Sequence, residues 1–156
     1  MKLETWLRKW NFTSLKINAK FLEVELKFTD SDKLAAWEMY VELLTRITTQ
    51  RLKIEDGDEQ AALDSISSIY GTTREILKRY GSSCFEFTKI SVIILNQVIR
   101  PFTSKWHKRS NEKAFENPVE CKTFRAELEI LQEQIRNYTR LLSDIAEVED
   151  LTELEN

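Results

Sequence analysis

The sequence predicts a mainly α-helical domain: a four-helix bundle preceded by a short N-terminal helix and a small β-hairpin or bulged strand. Two observations carry this. Only three glycines and two prolines stand in 156 residues, so turns are few and the elements between them must be long. Apolar residues also recur at alternating spacings of three and four over several long stretches, the period of one face of a helix. The hydrophobic fraction of 42% and the aromatic fraction of 10% are globular values, and a chain of this length folds around one core, burying roughly 70% of its unfolded surface. A single domain over 1–156 follows.

Residues 1–12 place Leu3, Trp6, Leu7 and Trp10 at helical spacing, with Lys2, Arg8 and Lys9 on other faces. This predicts a short amphipathic helix that lays its tryptophans on the core or offers them to a partner. Over 13–29 the pattern alternates, with Leu15, Ile17, Ala19 and Phe21 on one face and Leu22, Val24, Leu26 and Phe28 on the other. The phase slips at Phe21, as a bulge or tight reversal would make it slip, so a hairpin or one bulged strand is expected. A helix stays open as an alternative, because Leu15, Ala19, Leu22 and Leu26 also fit its spacing.

The bundle is expected over 30–147, from helices near 32–51, 59–80, 83–109 and 120–147. Asp30, Ser31 and Asp32 supply capping oxygens to the first, whose inward stripe reads Leu34, Trp37, Val41, Leu44 and Thr48. A loop over 53–58 leads to the second, with Ala62, Ile66, Ile69, Thr73, Ile76 and Tyr80, and Gly81 stops it. The third is apolar nearly all round, so it should be surrounded, with Ile93, Leu95 and Ile99 deeply buried; Pro101 should kink or restart it. The fourth repeats Phe124, Leu128, Leu131, Ile135, Tyr138, Leu142 and Ile145 without a break. Residues 148–156 form an acidic tail, whose carboxylates at a helix C-terminus oppose the helix dipole and call for another contact or fraying.

Most chemistry is excluded by what is missing. A formal charge of −3 rules out a wholly basic nucleic-acid binder. Glycines at only 57, 71 and 81 leave no phosphate-cradling loop and no nucleophile elbow. The single histidine, His107, follows Ser104 by three positions, so the Glu-x-x-His signature of di-metal bundles is absent and no metal or small-molecule cofactor is expected. Cys84 and Cys121 make neither a zinc ribbon nor a disulfide framework, which points to a reducing cytoplasm. No apolar run approaches the ~20 residues needed to span a bilayer, and the start of the chain lacks the apolar run of a signal peptide.

One segment concentrates chemistry. Residues 100–109 hold Arg100, Lys105, Lys108 and Arg109, no acid, Phe102 and Trp106, and His107. Cations interleaved with aromatic rings suit phosphate contacts and base stacking; an ordinary helix with Phe102 and Trp106 turned inward has the same pattern. Arg100 and His107, with six residues between them, resemble the Arg-x4-6-His motif of the helical HEPN ribonucleases. The resemblance implies that these two residues act on an RNA phosphate without a metal, at a dimer interface. Pro101 stands where that family usually carries a polar residue, and a further long helix follows the motif.

Two functions are therefore carried forward. The favoured one is a non-catalytic accessory or interaction subunit engaging a protein partner or itself. Trp6, Trp10, Phe21 and Val24 and the acidic tail are its contact residues, since a lone strand pair leaves an edge for another chain to complete. The alternative is an RNA-binding or metal-independent RNA-cleaving domain, in which Arg100, Lys105, Trp106, Lys108 and Arg109 bind RNA and Arg100 and His107 cleave it.

Overall fold

The computed structural model describes residues 1–46 and 58–155. Long helices dominate, as the scarcity of turn residues requires, and no strand occurs among the described residues. In chain order they are α1 (Leu3–Lys9), the single turn α2 (Ala19–Leu22), α3 (Asp30–Leu44), α4 (Glu59–Tyr80), α5 (Phe85–Ile94), α6 (Arg100–Asn111) and α7 (Pro118–Ala146). Helix α3 packs against α7, α4 and α5, and α4 packs against α6. Helix α3 stops at Leu44 with Thr45 as its C-cap, short of the expected residue 51, and residues 47–57, which include the expected loop apart from Asp58, lie outside the described residues.

The expected hairpin over 13–29 is corrected to irregular chain around α2. Lys16 exchanges both main-chain bonds with the Gln97 side chain, its N–H donating to Oε1 at 2.8 Å and its carbonyl accepting from Nε2 at 2.7 Å. Further on, Lys2 and Glu25 form one antiparallel bridge, and the Leu26 N–H donates to the Met1 carbonyl at 3.0 Å. The start of the chain thus takes the edge that was expected to stay open. A two-stranded pair is marginal alone. Here the alternating residues bury Leu26 fully and Leu15, Ile17 and Phe28 in part without forming one.

Helix α3 starts with a capping box one position earlier than the expected caps. Thr29 is the N-cap, its hydroxyl accepting from the Asp32 N–H at 3.1 Å, while Asp32 Oδ2 accepts from the Thr29 N–H at 2.8 Å. Asp32 is fully buried, and its second oxygen accepts from the Phe87 N–H at 3.0 Å in the first turn of α5. One carboxylate therefore ties the starts of two helices together.

The inward stripe of α3 is not the expected one. Its buried residues are Asp32, Ala35, Ala36, Met39, Tyr40 and Leu43, whereas Leu34, Trp37 and Val41 are 53%, 45% and 38% exposed. Helix α3 is apolar on two faces, so periodicity alone cannot choose between them. Small residues let neighbouring helices approach closely, and the structure buries the alanine face. Thr48 lies outside the described residues.

The remaining long helices follow their stripes more closely. Helix α4 buries Ala62, Ile66, Ile69, Thr73 and Ile76 and ends at Gly81, whose φ of 60° is the left-handed conformation glycine adopts without strain. In α7, Phe124, Leu128, Leu131, Ile135, Tyr138, Leu142 and Ile145 are all buried. The helix expected over 83–109 is interrupted: a 3-10 turn over Gly81–Cys84 precedes α5, and a wide π turn over Leu95–Ile99 separates α5 from α6. Pro101 accounts for the second break, because it donates no N–H to the preceding turn and its ring crowds the carbonyl four residues back. Ile90, Ile94 and Ile99 are at most 1% exposed, but Ile93 and Leu95 are only partly buried. Phe85 and Val92 stand exposed, so α5 is not surrounded on all sides.

This assignment of faces predicts an asymmetric mutational response. Met39→Ala and Leu131→Ala should each cost about 2–5 kcal/mol by leaving cavities, while Leu34→Ala and Val41→Ala should stay within about 0.5 kcal/mol. Urea unfolding of the four variants checks it, and a large loss at Leu34 would reverse the assignment.

Candidate functional site

The basic segment lies on α6, where packing divides its residues into two groups. Trp106 is fully buried and lies among Phe102, Phe115 and Phe124, with its ring centroid 5.9 Å from Phe115 and 5.1 Å from Phe124. Its indole N–H donates to Glu127 at 2.7 Å. Lys105 pairs with the same carboxylate, and Arg109 pairs with Glu120 at 3.0 Å; both cations also lie over the Trp106 ring. Three of the residues expected to meet RNA are thus engaged in holding α6 on α7, and a buried indole offers no face for a base to stack on.

The second group faces solvent. Arg100 is exposed, with its guanidinium bonded to the Asn96 amide oxygen at 3.1 Å and 5.1 Å from the Tyr70 ring centre. His107 is exposed and its Nε2 lies 2.7 Å from the Ser67 hydroxyl of α4. Lys108 is exposed as well. Among the described residues no carboxylate pairs with Arg100, His107 or Lys108. Two helical turns along α6 separate Arg100 from His107, which puts them on one side of the α4–α6 seam.

The N-terminal contact residues also divide. Trp6 is 8% exposed and meets Phe28 edge-on at 5.2 Å, so it belongs to the core and not to a display surface. Trp10 is partly buried against the core under the Lys9 ammonium. Phe21 and Val24 are exposed at 41% and 39%.

An apolar face left to solvent is the one that periodicity had turned inward. Leu34, Trp37 and Val41 stand at i, i+3 and i+7, one face of α3 over two turns. The acidic tail runs beside them. After α7 the chain reverses at Glu147, whose φ of 57° is left-handed, and Lys33 pairs with Glu147 at 2.8 Å. The Tyr40 hydroxyl then donates to the Glu149 carbonyl at 3.0 Å and accepts from the Leu151 N–H at 2.8 Å, while its ring lies 5.9 Å from Trp37. Arg140 holds Glu153 and lies 3.8 Å from Asp150, and Lys9 pairs with Asp144 at 2.9 Å. These cations meet the C-terminal carboxylates that the helix dipole disfavours, and they hold the tail along α3. These contacts lead the tail to α3 and α7.

No protein-family model, curated protein or solved structure matches this chain. Among the described residues no group of three histidine, cysteine, aspartate or glutamate side chains is placed to hold a metal ion. No described helix is long and apolar enough to cross a membrane, and Cys84 and Cys121 are free thiols.

The Glu127 junction makes a pH prediction. Burial pushes its carboxyl up, but the bonds from Lys105 and Trp106 and the nearby cations outweigh this and hold it below the ordinary 4.5. The folded value is therefore the lower one. The stabilisation is present above the unfolded value near 4.5 and is lost as pH falls through the folded value. Thermal melts from pH 7 to pH 3 should show a smaller acid-side loss for Glu127→Gln than for the wild type. At neutral pH, Trp106→Ala should cost about 3–5 kcal/mol, whereas exposed His107→Ala should stay within about 0.5 kcal/mol.

Proposed function

We propose that this chain is a non-catalytic interaction module, working in the cytoplasm and engaging a protein partner or itself through the outer face of α3. The observation that carries this reading is the exposed stripe of Leu34, Trp37 and Val41 beside the acidic tail. Scattered apolar residues on a surface need no explanation. An aromatic and two aliphatic side chains aligned on one helix face match the arrangement by which helices recognise other proteins. Phe21 and Val24 supply a second, smaller exposed apolar area. We read the scaffold beneath both as a four-helix bundle of α3, α4, α5–α6 and α7.

A second reading keeps the RNA alternative, and one observation favours it: Arg100 and His107 share the α4–α6 seam, exposed and with no carboxylate on either among the described residues. The burial of Trp106 and the carboxylate partners of Lys105 and Arg109 weigh against it.

One experiment separates the two. In the interaction reading the full chain leaves single-stranded and hairpin RNAs intact and binds them no better than background at about 0.15 M salt, where the Debye length is about 8 Å. A native complex isolated with the chain from its own cells should survive His107→Ala and be lost in Trp37→Glu. RNA cleavage that disappears in His107→Ala, with the complex indifferent to Trp37, would replace the interaction reading with the catalytic one.

A further inference from the structure

We infer that the outer face of α3 takes a basic amphipathic helix of a partner protein, its apolar stripe laid on Leu34, Trp37 and Val41 and its lysine or arginine side chains reaching the acidic tail. This deepens the interaction reading and rests on it.

Charge complementarity selects this occupant. On the tail side of the stripe, Glu147 pairs with Lys33, Asp150 and Glu153 lie against Arg140, and Glu149 and Glu155 add two further exposed carboxylates to the tail. On the other side Glu38 and Glu42 are matched by Arg79 and Arg46. The border of the apolar stripe is therefore net negative, and the surplus lies in the tail that Tyr40 holds against α3. A partner helix with a lysine or arginine flank satisfies both parts: its apolar side chains cover Trp37, and its long cationic stems lie over the edge of the stripe while their heads reach carboxylates. A second copy presenting the same face would bring two acidic borders together, and an acidic helix would meet the same repulsion.

The spacing sets the size of the contact. Leu34, Trp37 and Val41 span two helical turns, about 10 Å, so three or four apolar residues at helical spacing on the partner cover them. Trp37 is the anchor, since a large aromatic desolvated at the centre of a contact dominates its affinity.

The test uses the full chain and three synthetic peptides of about 18 residues, roughly five turns: a leucine/lysine peptide with helical amphipathic period, the same design with glutamate for lysine, and the leucine/lysine composition with its period scrambled. Trp6 and Trp106 are buried, Trp10 is half-buried and Trp37 is exposed, so burial of Trp37 should shift the indole emission to shorter wavelength, and Trp37→Phe should remove that shift. The amphipathic basic peptide should bind at least about tenfold more tightly than either control. Trp37→Ala should weaken it by about thirtyfold, the loss that marks a hot-spot residue. Neutralising the tail by Glu149→Gln, Asp150→Asn and Glu155→Gln should weaken it by roughly tenfold and flatten its salt dependence, with the circular dichroism of every variant unchanged. Binding of the basic peptide that is indifferent to Trp37→Ala overturns the inference, because it would be adhesion to the tail alone. Trp37-dependent binding of the glutamate peptide, or a Trp37-dependent dimer, also overturns it but leaves the interaction reading standing. No Trp37-dependent association with any peptide or with a second copy removes both.

Discussion

The rotational setting of α3 about its own axis decides what this molecule shows to its surroundings. Two independent features fix it. Ala35 and Ala36, both fully buried, put the least bulky side chains of the helix on the side where α7, α4 and α5 close in. Asp32, also fully buried, accepts from the Thr29 and Phe87 N–H groups at once, which sets the start of α3 against the start of α5. Turning α3 to bury Leu34, Trp37 and Val41 would expose Met39 and Leu43 and pull Asp32 from the Phe87 N–H, leaving that buried group unpaired at a cost of about 1–3 kcal/mol. The apolar outer face follows from these inner constraints, and the Trp37 surface is the remainder of a packing problem solved elsewhere in the helix.

Two sets of ion pairs mark the two ends of α7. Near its beginning, Lys105 and Arg109 of α6 meet Glu127 and Glu120 and enclose Trp106. Near its end, Lys9, Lys33 and Arg140 meet Asp144, Glu147 and Glu153 and gather α1, α3 and the tail around the terminus. Exposed pairs of this kind contribute little each. What they do is orient: the first set turns the basic segment into an α6–α7 joint, and the second lays the tail beside α3, so the acid surplus and the apolar stripe share an edge.

The sequence made the helices legible where a single apolar stripe existed. Helix α4 and helix α7 have one each, and apart from half-buried Tyr80 the residues at those spacings are buried. Helix α3 has two, and which faces inward depends on the size of residues on other helices, which no local pattern records. The strand expectation failed for a related reason: alternation over 15–28 reports alternate burial, and burial on one side against Gln97 and the N-terminus satisfies it without a ladder. The basic segment shows both successes and limits. Phe102 and Trp106, four apart, mark an inward face, and they are buried; Glu127 and Glu120 lie about twenty and ten positions away, and nothing in the local sequence ties them to Lys105 and Arg109. The Trp37 face could have been suspected from one signal, the coexistence of Ala35, Ala36 and Met39 with Leu34, Trp37 and Val41 on a helix of four turns.

The same geometry bears on whether a second copy could supply the basic amphipathic helix in a head-to-tail manner. The described basic helices are α6, with Arg100, Lys105, Lys108 and Arg109, and α1, with Arg8 and Lys9. Their apolar residues are already committed: Phe102 and Trp106 of α6, and Leu3, Trp6 and Leu7 of α1, are buried in their own chain. Neither helix has an apolar stripe free to lie on Trp37, and releasing one would dismantle the core of the donor at several kcal/mol for each large side chain withdrawn. Cationic contact alone, screened within about 8 Å at physiological salt, leaves Leu34, Trp37 and Val41 in water. A head-to-tail contact would also repeat from copy to copy, into a ring where the rotation closes and a filament where it does not. Both the apolar and the charged requirements of the α3 face are met together by a helix whose apolar side is unclaimed until it binds, and among the described elements this chain has none to give.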